Sequence, residues 1–234
     1  MTESKVAMIA GVGTGLSASL ARRFATAGMK VTMAARRIEK LADLESETGG
    51  KAFACDVTDQ AQVDAWFEAT VSEFGTPALV VYNAGAYQRG QVVEVSAADF
   101  ERCWKIGCLG GFHVGQAAAR RMVEAGGGTI LFTGATASLR GGAGFVNLAM
   151  PKFALRALAQ SMARELGPQG VHVAHVIVDG QISADRDGGY RESERGADAV
   201  LSPDAMAESY YQLHLQHRSA WTQELDLRPW VEKF

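Results

Sequence analysis

The feature that most constrains the fold is a regular alternation between short apolar runs and amphipathic helical stretches. Five consecutive apolar residues, Val6 to Ala10, predict a buried strand, and a glycine-rich turn at Gly11 to Gly15 follows it. Leu16, Leu20 and Phe24 then recur every four residues, as they would on one face of a helix. Similar apolar runs alternate with further helical stretches at residues 31–35, 52–55, 79–82, 129–132 and 171–178, and a short last candidate lies at 224–227.

Strands that are continuous apolar runs are typical of parallel sheets that are buried on both faces. The alternation therefore predicts one α/β domain over residues 1–234, a doubly wound Rossmann-type fold whose parallel sheet has about seven strands and helices on both faces. Residues 183–202 are charged and glycine-bearing without a clear period, which predicts a mobile substrate loop.

Composition excludes several classes of function. Hydrophobic residues make up 47% of the chain, yet no apolar run approaches the ~18 residues that a membrane helix needs. A net charge of −3 argues against nucleic-acid binding, which favours a basic surface. Three cysteines cannot form a fully paired disulfide framework, and the histidine spacing shows no metal-ligand set, so we expect a cytoplasmic protein without a metal site.

The glycine-rich turn is the first candidate binding element. Gly11, Gly13 and Gly15 lie between the first strand and the first helix, where backbone N–H groups can approach a pyrophosphate and the helix dipole favours an anion. The alternative is a tight turn that binds no ligand.

The end of the second strand discriminates between nicotinamide cofactors. An acidic residue there would accept hydrogen bonds from the adenosine ribose, as in NAD sites, but this chain has Arg36 and Arg37. Two guanidinium groups suit a 2′-phosphate, because charge-assisted bidentate contacts are strong. We therefore expect NADP(H) in preference to NAD(H); the alternative is a solvated helix start.

Taken together, these motifs resemble the short-chain dehydrogenase/reductase family over nearly the whole chain. Gly11 and Gly15 match the family's glycine-rich turn, Cys55-Asp56-Val57 resembles its third-strand end, and Asn83-Ala84-Gly85 matches its N-A-G motif; Ala10 and Ser17 depart from the pattern. The resemblance implies a small-molecule substrate and a homodimer or homotetramer. It also implies that the cofactor is contacted by Gly11, Gly13, Gly15, Leu16, Arg36, Arg37, Asp56, Val57, Asn83, Ala84, Gly85, Lys152, Gly180 and Ile182.

The same resemblance implies an Asn-Ser-Tyr-Lys catalytic set, of which only the lysine is matched. Lys152 fits the lysine that orients the nicotinamide ribose. The tyrosine position, four residues earlier, is Leu148, and the serine position is Ala135. The asparagine position is Gly107. The groups matched to the nucleotide are therefore retained, whereas those matched to proton transfer lack a titratable side chain.

Two functions from different classes follow from this pattern. One is an NADP(H)-dependent oxidoreductase with a non-standard active site, which transfers a hydride to an activated carbonyl or quinone. The other is a catalytically silent NADP(H)-binding protein, such as a redox sensor or partner subunit; a scaffold without nucleotide is a third. The candidates for a substitute proton donor are Thr136, Ser138, Asn147 and Tyr87. The alternative is that these are ordinary loop and helix residues. Pro151 should kink the helix that carries Lys152.

Overall fold

The computed structural model describes residues 5–184 and 192–232. Its seven strands form one parallel sheet in the order β3-β2-β1-β4-β5-β6-β7, which confirms the predicted architecture. The strands are β1 (Val6–Ala10), β2 (Lys30–Ala35), β3 (Lys51–Ala54), β4 (Pro77–Tyr82), β5 (Gly128–Thr133), β6 (Val171–Val178) and β7 (Glu224–Leu227). The chain order reverses between β1 and β4, and in open parallel sheets ligands bind at such a switch point.

Eight α-helices connect the strands in the described parts of the chain. They are α1 (Leu16–Thr26), α2 (Ala42–Thr48), α3 (Gln60–Phe74), α4 (Ala97–Trp104), α5 (Gly110–Glu124), α6 (Val146–Leu166), α7 (Glu192–Arg195) and α8 (Pro203–Leu215). A π-helical turn, Lys105–Leu109, joins α4 to α5, so the helical region from Ala97 to Glu124 is continuous but locally widened.

The sheet separates two hydrophobic layers, because successive side chains of a strand point to opposite faces. On β1, Ala7 and Ile9 join the layer that contains buried residues of α1 and α8. Val6 and Met8 join the opposite layer, which contains buried residues of α3, α5 and α6. This double burial explains why a central strand such as β1 is apolar at every position rather than at alternate ones.

The predicted loop at residues 183–202 is closed at its base by a short parallel bridge. Ile182 pairs with Leu201, and the Ser183 amide donates to the Leu201 carbonyl at 2.8 Å. Residues 185–191 of the predicted loop are outside the described part. None of the helices that the structure describes has the length and apolar character to cross a bilayer.

Candidate cofactor and catalytic site

The glycine-rich turn between β1 and α1 packs directly against the turn that follows β4. Gly11 has a φ of +82°, and a Cβ built there would lie 2.5 Å from Ala84 Cα, so only glycine allows this close approach. Ser17, at the position of the family's last glycine, joins the two turns: its hydroxyl donates to the Gly11 carbonyl at 2.9 Å and accepts from Asn83 Nδ2 at 2.7 Å. The side chain of Asn83 therefore shapes the site by holding these turns together.

A cavity of about 420 Å³ opens between these turns and the ends of β2 and β3. It brings together nine of the predicted cofactor residues, which are Gly11, Gly13, Arg36, Arg37, Asp56, Val57, Asn83, Ala84 and Gly85. The lining includes both the glycine-rich turn, where backbone N–H groups can bind a pyrophosphate, and a cationic end.

The remaining predicted cofactor residues lie outside that cavity. Gly15 is the residue before α1, and the Leu16 side chain is buried in the hydrophobic layer below the turn. Gly180 follows β6 with a φ of +150°, and a Cβ there would meet Pro229 Cδ at 2.6 Å. Ile182 forms the bridge at the base of the 183–202 segment. Lys152 is buried at the carboxyl end of β5.

The cationic end of the cavity contains a lysine that the sequence argument did not include. Lys40 lines the cavity together with Arg36 and Arg37, and all three side chains are exposed. Within residues 5–184 and 192–232, none of the three has a carboxylate within ion-pair distance. Three cations without a protein counter-charge leave a surface that attracts a phosphate.

The sequence prediction also left out other residues that line the cavity. Val12 and Thr14 belong to the glycine-rich turn, and Ile106 comes from the π-helical turn. Ile106 is far from the other lining residues in the sequence, and no periodic pattern marks a π-helical turn. Lys40 could have been predicted, because it lies in the short helical turn that directly follows Arg36 and Arg37.

Asp56 is held in a fixed orientation at the end of β3. Its Oδ1 atom accepts hydrogen bonds from the backbone amide of Thr58 at 2.9 Å and from the hydroxyl of Thr58 at 2.8 Å. Asp56 lines the cavity together with the glycine-rich turn. It can still accept a hydrogen bond from an adenine amino group through Oδ2.

Lys152 is a buried cation near the predicted catalytic positions. Its side chain is 8% exposed, and Nζ donates to the Thr133 carbonyl at the end of β5 at 2.6 Å. Burial lowers the pKa of this amine to about 8. The amine is thus held at the carboxyl edge of the sheet, where it can donate to ribose hydroxyl groups.

Gly107, at the position of the family's asparagine, lies where the π-helical turn packs against α6. Gly107 is buried in the π-helical turn, and a Cβ built on it would lie 2.7 Å from Pro151 Cβ. Pro151 lies in the interior of α6, where its ring removes one backbone hydrogen bond. The proline therefore occupies the space that a side chain at position 107 would need.

All four candidate proton donors have contacts within the protein, and among the described residues only Thr136 contacts a carboxylate. Tyr87 stacks on Phe145 with ring centroids 5.3 Å apart. The buried Ser138 hydroxyl accepts from the Ala135 amide at 3.1 Å, and Asn147 Nδ2 donates to the Gln88 carbonyl at 3.0 Å. The fourth, Thr136, donates to Oδ1 of Asp179, the residue that follows β6.

Comparison with known proteins assigns the chain to a family. A family model described as short chain dehydrogenase matches residues 5–194. A short-chain dehydrogenase from Rhodopseudomonas palustris is similar in structure, with a TM-score of 0.83 and 37% identity over 97% of this chain and 99% of that one. An alcohol dehydrogenase from the archaeon Thermococcus sibiricus, complexed with 5-hydroxy-NADP, has a TM-score of 0.85 and 25% identity over 98% of each chain.

A curated relative from Escherichia coli K12 is 34% identical over 183 residues, which are 77% of this chain and 74% of the relative. It is named a cyclic-di-GMP-binding biofilm dispersal mediator protein. The fold, the paired turns and these matches agree: the chain belongs to the short-chain dehydrogenase family, whose members bind a nicotinamide cofactor.

Proposed function

We propose that this protein is an NADP(H)-dependent oxidoreductase that transfers a hydride between the nicotinamide and an activated carbonyl compound or quinone, at an active site without the family's serine and tyrosine. The observation that carries the proposal is the cationic end of the cavity, where Arg36, Arg37 and Lys40 have no carboxylate partner in the described residues. The 5-hydroxy-NADP complex of the Thermococcus sibiricus enzyme supports the same cofactor class.

The residues at the catalytic positions favour an activated substrate. Gly107, Ala135 and Leu148 carry no group that can protonate an alkoxide. An alkoxide has a conjugate-acid pKa near ~16, whereas a phenolate has one near ~10, and these six units correspond to about 8 kcal/mol of proton affinity. A product anion that is stabilised by conjugation therefore needs much less help from a general acid, which is ordinarily worth ~10²–10⁴ in rate.

Lys152 is the residue we assign to cofactor orientation in this site. Bound NADP(H) supplies the hydride acceptor or donor. The Lys152 amine, held on the Thr133 carbonyl, is placed to bind a ribose hydroxyl, and its burial gives it a fixed position. The contacts among Asn83, Ser17 and Gly11 hold together the two turns that line the cavity.

The cofactor part of the proposal is tested by equilibrium titration with NADPH and NADH, followed by nicotinamide fluorescence. We expect selective NADPH binding and a loss of about 10-fold or more in NADPH affinity for Arg36→Ala and for Lys40→Ala, with NADH unaffected. Lys30→Ala is the matched control, since Lys30 is an exposed cation at the opposite end of β2. Equal affinity for both cofactors in all variants would contradict the assignment.

A second candidate function is a catalytically silent nucleotide-binding protein. The specific observation that favours it is the Gly107–Pro151 contact, which fills the space of a catalytic side chain. The Escherichia coli relative, named for binding cyclic di-GMP, supports a nucleotide-binding role for this fold. Tight NADPH binding without turnover over a panel of quinones, dicarbonyls and hydroxy ketones would favour this candidate over the enzyme.

A further inference from the structure

A hydroxyl, a carboxylate and a guanidinium form a chain of contacts at the carboxyl edge of the sheet. Thr136 begins the short helical turn after β5, and Asp179 directly follows β6. Arg228 directly follows β7. Three neighbouring strands thus each contribute one member at the edge where ligands bind in open α/β sheets.

The contacts among these three side chains have defined donors and acceptors. The Thr136 hydroxyl donates to Oδ1 of Asp179, and Nη2 of Arg228 lies 3.5 Å from Oδ2 of the same carboxylate. Arg228 also contacts Asp226. Asp179 is 5% exposed, so its charge is compensated mainly by the guanidinium rather than by water.

The donation to Asp179 leaves the oxygen of Thr136 as an acceptor. A hydroxyl has one hydrogen and two lone pairs, so Thr136 can accept a hydrogen bond while it donates its own hydrogen to the carboxylate. A hydroxyl that contacts a base, with the base oriented by a third group, is the arrangement that allows a proton to move through the hydroxyl. Thr136 is half-buried and retains exposure for such a partner.

The position of Thr136 relates it to the rest of the proposed site. It follows Ala135, the position of the family's serine, and it lies three residues after Thr133, whose carbonyl holds Lys152. Asp179 precedes Gly180, which the resemblance assigns to the cofactor. The other hydroxyl of the same turn, Ser138, is fully buried and contacts His175.

We propose that Thr136 is the catalytic hydroxyl that exchanges a proton with the substrate oxygen, and that Asp179, positioned by Arg228, holds the exchanged proton. This inference rests on the oxidoreductase function proposed above. It assigns a residue pair, absent from the family's Asn-Ser-Tyr-Lys set, to the proton transfer that Gly107, Ala135 and Leu148 cannot perform.

The proton balance can be written for oxidation of an α-hydroxy ketone by NADP⁺. The substrate O–H bond breaks and its proton goes to Thr136 Oγ1, while the Thr136 proton passes to Asp179 Oδ1, which becomes a neutral carboxyl. The O–H electron pair forms the new C=O bond as the C–H hydride leaves to the nicotinamide. Asp179 then releases its proton to solvent, and reduction of the dicarbonyl follows the reverse sequence.

The test compares oxidation of an α-hydroxy ketone by NADP⁺ in the wild type with four variants. Thr136→Val should reduce kcat by about 100-fold or more, with NADPH affinity unchanged, whereas Thr136→Ser should retain most of the activity. Asp179→Asn should reduce kcat to a similar extent, again with NADPH affinity unchanged, because the amide cannot take up the proton. Thr129→Val is the matched control, because the Thr129 hydroxyl contacts His214 near the amino end of β5.

The outcomes separate this inference from the function on which it rests. If the wild type turns over and Thr136→Val, shown to be folded by circular dichroism, has the same kcat, the pair is structural and the proton relay is wrong. If the wild type binds NADPH but no substrate of the panel is oxidised or reduced, the oxidoreductase function is wrong and the relay falls with it.

Discussion

At the scale of single residues, the contact between Gly107 and Pro151 explains two departures from the family pattern at once. A proline in a helix interior costs about 3 kcal/mol relative to alanine, so its presence in α6 calls for a compensating contact. The ring packs against the π-helical turn where Gly107 has no side chain. Each residue therefore restricts what the other position can hold.

This coupling predicts that the effect of Gly107→Ala on the free energy of unfolding changes sign with the residue at position 151. Glycine to alanine in a helix is ordinarily stabilising by ~1 kcal/mol, but Gly107→Ala should destabilise the wild type by about 1–3 kcal/mol, because the new Cβ would lie 2.7 Å from Pro151 Cβ. In Pro151→Ala the same change should be neutral or stabilising. Urea denaturation of the four proteins of this double-mutant cycle measures the effect, and additive free energies of unfolding would contradict the coupling.

The cofactor residues were predictable from sequence to the extent that they lie in local motifs. Gly11, Arg36 and Asn83 each follow a strand, and strand ends meet at one edge of a parallel sheet. The contact between Thr136 and Asp179 was not predictable, because 43 residues separate the two and no local pattern links a residue after β5 to one after β6.

At the scale of elements, α6 is attached to the edge strand β7 by a charged side-chain cluster. Arg156 donates two hydrogen bonds to the Glu224 carboxylate, at 2.6 and 2.8 Å, and Gln160 donates a third at 2.9 Å. These donors lower the pKa of Glu224 to about 2. Since α6 also carries Lys152, this attachment helps to fix the helix that positions the amine.

Removing the charge of Glu224 should therefore cost more than removing a surface charge. The side chains of Arg156 and Glu224 are 28% and 26% exposed, against 47% and 51% for the Arg22–Glu47 pair. We expect Glu224→Gln to lower the free energy of unfolding by about 1–2 kcal/mol and Glu47→Gln by less than ~0.5 kcal/mol. If urea denaturation at pH 7 gave equal losses of unfolding free energy for the two variants, the Arg156–Glu224 attachment would contribute no more than a surface ion pair.

The elements themselves were largely predictable, since the central strands β1 and β4 are continuous apolar runs and helix α1 has a four-residue apolar repeat. The π-helical turn at Lys105–Leu109 was not, because an extra residue in one helical turn leaves no mark in the apolar period. That turn brings Ile106 to the cavity and Gly107 to Pro151.

At the scale of the whole molecule, buried histidines make the fold sensitive to acid. Burial lowers the pKa of His175 and of His214 to about 4, and also lowers the pKa of His172. In the unfolded chain a histidine has a pKa of ~6.5, so between these values the unfolded state binds more protons and acidification favours unfolding. The stabilisation is present above ~6.5 and is lost as the pH falls towards 4.

For the buried His175 and the half-buried His214, we expect the free energy of unfolding to fall by about 1–2 kcal/mol per histidine between pH 7.5 and pH 5.0. His214→Gln should make this dependence shallower, since the amide can still bond the Thr129 hydroxyl without titrating. Urea denaturation at both pH values tests this, and an unchanged pH dependence in the variant would contradict the assignment to His214.

The fold of the whole chain followed from sequence, because a parallel sheet with buried strands has few alternatives. The substrate could not be predicted from the sequence, because residues 183–202 show no periodic pattern. The expected homodimer or homotetramer stays a prediction.

The measurement that tests the central claim most directly is transfer of deuterium from C4-labelled NADPH to a 1,2-dicarbonyl compound, detected by mass spectrometry of the product. A label on the product carbon reports the hydride itself, and carbon-bound deuterium does not exchange as a hydroxyl proton does. We predict label in the product with the wild type, and a loss of about 100-fold or more in the rate of its appearance with Lys152→Ala. Label-free dicarbonyl after prolonged incubation with folded, NADPH-bound wild type would contradict the oxidoreductase function and leave a nucleotide-binding protein.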